Sequence, residues 1–208
     1  MKSLMSGLLG LVFLLYSCEK DPETNLLPAN ALGTLHLSSS KNLIPLEILK
    51  PDVHAIFINA EGQEKVLQLQ VNQMVRNQSY QGFHYDAEYL EISYSDRDDQ
   101  TYLPTVSAHA DYDDLKNYSE TVWVNIQSVY NKGYTPTLIL CPDLQCPYLK
   151  RTVDDFTLAG HSFQHVFASC APPSQFNSFS EVYYTLDKGI VGFRGLNGEM
   201  WVLERLGE

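Results

Sequence analysis

The feature that most constrains this chain is a two-residue alternation of apolar and polar side chains along most of its length. It is clearest in VHAIFINAEGQEKVLQLQV, where segments 53–59 and 64–71 flank the turn-forming stretch 60–63. Because successive side chains of a strand point to opposite faces of a sheet, the alternation predicts half-buried strands. A short polar loop that contains glycine predicts that these two strands form a hairpin. The pattern therefore predicts a mainly β fold built from antiparallel hairpins.

A second segment, AEYLEISYSDRDDQTYLPTVSA, repeats this design. Leu90, Ile92 and Tyr94 fall on one face, a charged tip occupies residues 96–99, and residues 101–107 return as the next strand. The later stretch TPTLIL is short and apolar, which is typical of a buried strand. The alternation thus extends well beyond the first hairpin.

One stretch departs from this pattern and predicts a helix. In DYDDLKNYSETVWVNIQSVYNKGY, the apolar residues are spaced three or four apart, as on one face of a helix: Leu115, Tyr118, Val122, Ile126 and Val129. Acidic residues stand at its start, where the helix dipole favours them. A strand is the alternative, since apolar residues also alternate over 122–126. The longer window favours a single packed helix around residues 113–131.

The C-terminal third shows turn signals at Ala159-Gly160, at 187–189 and at Asn197-Gly198. Between them run phrases of the form F-T-L-x-G-x-x-F-x-x-V, V-Y-Y-x-x-x-x-G-I-V-G-F and N-G-x-x-W-x-L. Over residues 153–204 this resembles the C-terminal half of small uncharacterised outer-membrane lipoproteins of Bacteroidota. The resemblance implies a curved antiparallel sheet and supplies no catalytic residue. The expected fold is mainly β (β-rich α+β), a curved antiparallel sheet or half-barrel of hairpins with one packed helix.

The N-terminus has the layout of a secretory signal, with one Lys and then an apolar run over residues 8–16 that leads to Cys18. The run is too short for a membrane-spanning helix, which needs about 20 residues. Cys18 follows LLYS and precedes EKDPETN, which resembles the lipobox of bacterial lipoproteins. The resemblance implies that residues 1–17 are cleaved, that the Cys18 thiol receives a diacylglycerol whose acyl chains are for example palmitate, and that Cys18 becomes the new N-terminus. A plain signal peptide with Cys18 in a disulfide is the alternative.

The expected organisation is a signal peptide at 1–17, a lipid-anchored flexible tether at 18–30 and a single β-rich domain at 31–208. The acidic residues Glu19, Asp21 and Glu23 resemble the signal that sends Bacteroidota lipoproteins to the cell surface. We therefore expect an outer-membrane protein that is lipid-anchored and faces outward.

Charge narrows the range of partners. The chain has 14 basic and 25 acidic residues and a net charge of −11. Its sequence has no cluster of Lys or Arg that could bind the phosphates of a nucleic acid. An acidic surface repels nucleic acid, so nucleic acid is not an expected partner. The remaining expected partners are the membrane, through the lipid anchor, and a glycan, a lipid or an envelope protein.

Two assignments compete for the Cys and His residues. Cys141, Cys146, His161 and His165 have a spacing close to that of zinc fingers, which would suit a metal-dependent enzyme that uses the two histidines. The alternative is a disulfide among Cys141, Cys146 and Cys170, because a secreted compartment favours oxidised thiols. The sequence does not show which two of these three cysteines form the disulfide. We expect the disulfide, no cofactor and no catalytic residues.

The aromatic stretch YQGFHYDAEYLEISY suggests a ligand surface formed by Tyr80, Phe83, Tyr85 and Tyr89. Flat aromatic faces can stack on the apolar faces of sugar rings. Core packing is the alternative role for the same rings. The sequence thus predicts a non-catalytic binding or structural module of the envelope.

Overall fold

The computed structural model describes residues 31–96, 103–127, 137–142, 151–170, 181–195 and 198–207. Its strands are β1 Ala31–Leu35, β2 His54–Ile58, β3 Glu64–Tyr80, β4 Phe83–Ser95, β5 Leu103–Tyr112, β6 Tyr118–Gln127, β7 Thr137–Leu140, β8 Arg151–Leu158, β9 His161–Cys170, β10 Glu181–Thr185, β11 Gly189–Arg194 and β12 Met200–Gly207. Two short 3₁₀ turns, Ser40–Leu43 and Leu46–Leu49, lie between β1 and β2. No helix in the described part of the chain has the length and apolar character needed to cross a membrane.

All twelve strands belong to one curled sheet, in the order β7-β6-β5-β4-β3-β2-β12-β11-β10-β9-β8. β1 lies off this path and pairs in parallel with β4. The curl brings β7, at one end of the order, against β9, near the other end, where the Ser169 hydroxyl donates to the Thr137 carbonyl at 2.9 Å. The prediction of a mainly β, curved antiparallel half-barrel is therefore confirmed.

The predicted hairpins form where the alternation placed them. β2 and β3 pair antiparallel with Ile58 opposite Glu64, across the predicted turn. On β4, Leu90, Ile92 and Tyr94 are all buried on one face, as predicted. Ala159 and Gly160 both have positive φ between Leu158 and His161, which are paired, so they form the two-residue turn of the β8–β9 hairpin. Local turn chemistry and alternation thus account for the hairpins.

The prediction of a packed helix around 113–131 is wrong for the residues that the structure describes there, 113–127. Val122, Val124 and Ile126 are fully buried in β6, whereas Leu115 and Tyr118, the first two residues of the predicted helical face, are 43% and 46% exposed. The Asp114 carboxylate accepts hydrogen bonds from the backbone N–H groups of Lys116 and Asn117, which closes a tight turn. The acidic cluster thus stabilises a turn, and pairing with β5 and β7 decides in favour of the strand.

The interior of the half-barrel is filled by side chains and by the segment between β1 and β2. Tyr94, Tyr184, Phe57 and Phe193 are among its largest fully buried side chains. Ile48, from the second 3₁₀ turn, is completely buried within the same core. Dense packing of this kind fills most of the concave side of the described sheet with side chains.

Glu120 of β6 holds the first 3₁₀ turn in place. Its carboxylate accepts hydrogen bonds from the backbone N–H and the hydroxyl of both Ser38 and Ser40, at 2.7–3.0 Å. Burial raises the pKa of Glu120, but these four hydrogen bonds outweigh it, so the pKa lies below its ordinary value. The segment that crosses the interior is thereby fixed to the sheet in a single position.

Strand β3 is longer than its partner β2, whose pairing with β3 ends at Gln68. From there to Tyr80, β3 pairs only with β4. Residues 70–80 therefore form an edge with no neighbour among the described strands, which we call the β3 edge.

Candidate ligand-binding cleft

A cleft of about 510 Å³ crosses strands β3 to β7, mainly on the sheet face that points away from the core. The register explains its position: Tyr89 lies opposite His109, and their neighbours Leu90 and Ala108 are buried on the other face. We call this site the outer cleft. Its lining residues are Arg76, Gln78, Ala87, Glu88, Tyr89, Ser107, His109, Ala110, Asp111, Trp123, Asn125 and Thr137.

Three rings form a row across the outer cleft, one from each of β4, β5 and β6. The Tyr89 and His109 rings lie 6.1 Å apart and nearly parallel, and the His109 and Trp123 rings lie 5.1 Å apart. The Arg76 guanidinium lies 3.5 Å from the centre of the Tyr89 ring. Such cation–π and ring contacts hold the side chains in one arrangement. Trp123, at 37% exposed, presents the most open surface of the row.

Hydrogen bonds fix the orientation of His109 and Trp123. The Trp123 indole N–H donates to the Thr121 hydroxyl oxygen at 3.0 Å. His109 Nε2 lies 3.2 Å from that oxygen and 3.4 Å from the Asp111 carboxylate. Because a carboxylate can only accept, this arrangement favours the tautomer that carries its hydrogen on Nε2. His109 Nδ1 is buried and has no hydrogen-bond partner in the part of the chain that the structure describes, which suits a bare nitrogen better than a charged N–H.

The pKa of His109 lies below its ordinary value. Burial is the main cause, and the Arg76 charge acts in the same direction. The Asp111 carboxylate opposes the shift without cancelling it. His109 is therefore a neutral ring at pH 7.

The two carboxylates of the outer cleft are engaged in contacts within the protein. Asp111 accepts a hydrogen bond from the Tyr85 hydroxyl at 3.1 Å. Glu88 lies 2.9 Å from a ring nitrogen of His36 and accepts a hydrogen bond from the Leu37 backbone N–H at 2.9 Å. These contacts, with Lys41 adding to them, lower the pKa of Glu88 to about 2. Contacts within the protein therefore hold both carboxylates in place.

Of the predicted ligand surface, one residue lines the outer cleft. Tyr89 does so, whereas Tyr85 is buried and packs edge-on against Tyr112. Tyr80 donates its hydroxyl to the Asp113 carbonyl at 2.8 Å, and Phe83 stands at the first position of β4. By register the four rings fall on one sheet face, but Tyr85 is buried and only Tyr89 of the four lines the outer cleft. Their role as one ligand surface stays a prediction.

The Cys and His residues are only partly described. Cys141, directly after β7, is disulfide-bonded, and its partner is not among the described side chains. His161 follows the β8–β9 turn, and His165 is exposed with a positive φ of 51°. No group of three or more His, Cys, Asp or Glu side chains within the described ranges could hold a metal ion. Cys18 and Cys146 lie outside the described residues, and the side chain of Cys170 is not described, so the zinc alternative stays untested.

Apart from Tyr89, the sequence analysis named none of the outer cleft as a site, and Arg76, His109 and Trp123 are the most prominent residues that it missed. A signal for two of them was present, since Ser107, His109 and Asp111 alternate with buried residues, and Trp123 sits between two buried valines. A strand assignment for β6 would have placed Trp123 on the polar face.

Comparisons with known proteins give no family for the chain: no protein-family model matches it, and no match was found among curated proteins or solved structures.

Proposed function

We propose that this protein is a lipid-anchored, non-catalytic binding module of the bacterial envelope that holds a neutral glycan in the outer cleft. The observation that carries the proposal is a partly exposed Trp123 ring surrounded by hydrogen-bonding side chains on one sheet face. A cleft with a few placed polar groups beside aromatic surface is the usual form of a small-ligand site.

The chemistry of the cleft matches a sugar ring. A pyranose has an apolar C–H face and a rim of hydroxyl groups. Trp123 offers a flat apolar surface for the C–H face, and Ser107 and Asn125 offer a hydroxyl and an amide group for the rim of hydroxyl groups.

The charges of the cleft favour a neutral sugar over an acidic one. Glu88 and Asp111 are both carboxylates that line the site. The one Arg there, Arg76, already lies over the Tyr89 ring, and the whole chain carries a net charge of −11. An anionic ligand would meet like charge on approach and in the site.

A lipid ligand has less support. Half-barrels that carry lipids need an apolar cavity inside the curl. Here that space holds fully buried side chains such as Ile48, Tyr94 and Phe193. The polar outer cleft suits a glycan better than an acyl chain.

A binding role is also supported by the state of the titratable groups. His109 is neutral and locked by Thr121 and Asp111, and Glu88 is held by His36 and Leu37. Groups with these contacts position a ligand more readily than they transfer protons.

Membrane attachment through Cys18 belongs to the same proposal. Two or three acyl chains hold a protein stably on a membrane, whereas one does not. The test is the intact mass of protein purified from its native membrane, beside Cys18→Ser. A mass for residues 18–208 plus acyl chains supports the anchor. A wild-type mass without acyl chains, or acyl chains that remain on the Cys18→Ser variant, would overturn it.

The cleft is tested by intrinsic fluorescence, since Trp123 is one of only two tryptophans. A neutral β-linked glucose hexasaccharide should change the emission saturably, and a glucuronic acid hexasaccharide should bind about tenfold or more weakly. Trp123→Ala should abolish binding, as followed by calorimetry. Tyr118→Ala removes another exposed ring of β6 that does not line the cleft and should bind normally. No saturable binding, or full binding by Trp123→Ala, would sink the proposal.

A further inference from the structure

We infer that the β3 edge, residues 70–80, is a pairing surface for a second copy of this chain. Among the described residues, the backbone of this edge has hydrogen bonds only to β4, on one side. An unpaired row of N–H and C=O groups is a template for another strand, and a side chain or a lipid cannot satisfy it in the same way.

The side chains of β3 are unusually open and apolar. Four of the exposed large hydrophobic residues in the described chain lie on β3: Val66 at 48%, Val71 at 36%, Met74 at 38% and Val75 at 60%. Three of these four lie on the β3 edge. Sheet proteins normally protect such edges with Lys, Pro or charged residues. Between Gln70 and Tyr80 there is no Pro, no Lys and no acidic residue.

The sequence of the edge suits pairing with itself. Arg76 is its one charged residue, in a chain that otherwise carries many charges. In an antiparallel pair centred near Val75, Gln73 lies opposite Asn77, and Arg76 lies opposite Met74. Amides can bond to one another across such a pair, and no like charges lie directly opposite each other, although the two Arg76 side chains are diagonal neighbours. A two-fold antiparallel pair is also the closed arrangement that a single self-complementary patch allows.

The size of the edge sets the strength of the pair. Eleven residues span about 35 Å, and with a sheet about 10 Å thick they bury on the order of 700 Å² in total. Stable interfaces bury about 1,200 Å² or more. The pair is therefore weak in dilute solution and forms at high local concentration.

Pairing would also join the two ligand sites. Arg76 and Gln78 belong both to the β3 edge and to the lining of the outer cleft. A continuous sheet through two copies therefore places two clefts on the same face, on either side of the two-fold axis. This consequence rests on the proposed function, whereas the pairing itself does not.

The test is sedimentation equilibrium of the full chain over a wide concentration series. Wild type should show a reversible monomer–dimer equilibrium. Val75→Lys places two like charges across the pair and should raise the dissociation constant about tenfold or more. Val66→Lys is the matched control, because it is an exposed valine of the same strand in the part already paired with β2, and it should leave the constant unchanged.

The geometry is tested by single cysteines at Gln73, Val75 and Asn77 under mild oxidation. A two-fold antiparallel pair should crosslink strongly at one of these positions and weakly at the others. A monomer at every concentration, equal effects of the two lysine variants, or equal crosslinking at all three positions would overturn the inference. If the β3 edge pairs only with strands of other proteins, the purified chain would be a monomer at every concentration. The outcome of these dimerisation experiments does not depend on whether the protein binds a glycan.

Discussion

His109 shows how a single buried residue shapes the outer cleft. Its ring lies between Tyr89 and Trp123, its Nε2 faces Thr121 and Asp111, and its Nδ1 is buried without a partner. A second proton would place a charged N–H in that unpartnered position, where burial penalises it. The row of rings therefore depends on His109 staying neutral.

The stability of the protein should fall in mild acid because of His109. Its folded pKa is lowered, chiefly by burial and also by Arg76, below the unfolded value of about 6.5. The unfolded chain then binds the proton more tightly, so stability is complete above about pH 6.5 and is lost as pH falls toward the folded pKa. The limiting slope is about 1.4 kcal/mol per pH unit. Asp111 reduces the effect but does not reverse it.

Urea unfolding at several pH values checks this expectation. His109→Gln, neutral throughout, should lose less stability between pH 7 and pH 5 than wild type does. His84→Gln, on an exposed histidine of β4, should follow the wild-type curve. Imidazole NMR should show hydrogen on Nε2 of His109 at pH 7. Identical pH curves for wild type and His109→Gln would contradict this account.

At the level of elements, the β10–β11 turn and the second 3₁₀ turn are packed together. Gly189 begins β11 with a φ of +82°, a backbone conformation that favours glycine. A Cβ there would lie 3.1 Å from Ile48 Cδ1 and 3.2 Å from the Tyr94 hydroxyl. The turn of one hairpin is thereby fitted to the segment that fills the interior.

Gly189→Ala should therefore cost more stability than the same change in the next hairpin. Gly198 has a φ of +80° but nothing within 4 Å of its Cβ position, so Gly198→Ala measures backbone strain alone, about 1–2 kcal/mol. Gly189→Ala adds overpacking of Ile48 and Tyr94, a further ~1–3 kcal/mol. Urea unfolding followed by tryptophan emission measures both. Equal losses of stability in the two variants would show that the second 3₁₀ turn moves aside at no cost when a Cβ is added at residue 189.

The sequence predicted those elements whose causes are local. Alternation and the turn residues of 60–63 and 159–160 were enough for the β2–β3 and β8–β9 hairpins. The helix at 113–131 failed because apolar residues in β6 also fall at helical spacing, and only the flanking strands β5 and β7 decide between the two. Burial of Val122, Val124 and Ile126 against the interior outweighed the helical pattern.

The outer cleft was harder to predict because it is not local. Arg76, Tyr89, His109 and Trp123 come from four strands, and the register of three pairings brings them together. The aromatic stretch 80–89 was noticed because its rings are close in sequence. Alternation and register place those rings on one face, with Tyr80 opposite Phe83, but Tyr85 is buried and only Tyr89 of the four lines the cleft. A site built across strands requires the register, which alternation alone does not supply.

At the scale of the whole molecule, the proposed lipid anchor should promote pairing through the β3 edge, and this pairing should increase the affinity of the outer cleft for long glycans. Acylated copies share the plane of a membrane, so their local concentration exceeds that in solution. A weak edge pair can then form, and it presents two clefts on one sheet face. A glycan chain long enough to reach both clefts binds with higher overall affinity, because binding to the second cleft takes place within the same complex.

This arrangement predicts that the length of the glycan determines the effect of breaking the pair. On vesicles that carry the acylated protein, a long neutral β-glucan should bind about a hundredfold more tightly than the hexasaccharide. Val75→Lys should remove that gain and leave the hexasaccharide affinity unchanged, since residue 75 does not line the outer cleft. Trp123→Ala should weaken both ligands. Binding curves by surface plasmon resonance separate these cases. Equal affinity of wild type and Val75→Lys for the long chain would mean that the two clefts act independently.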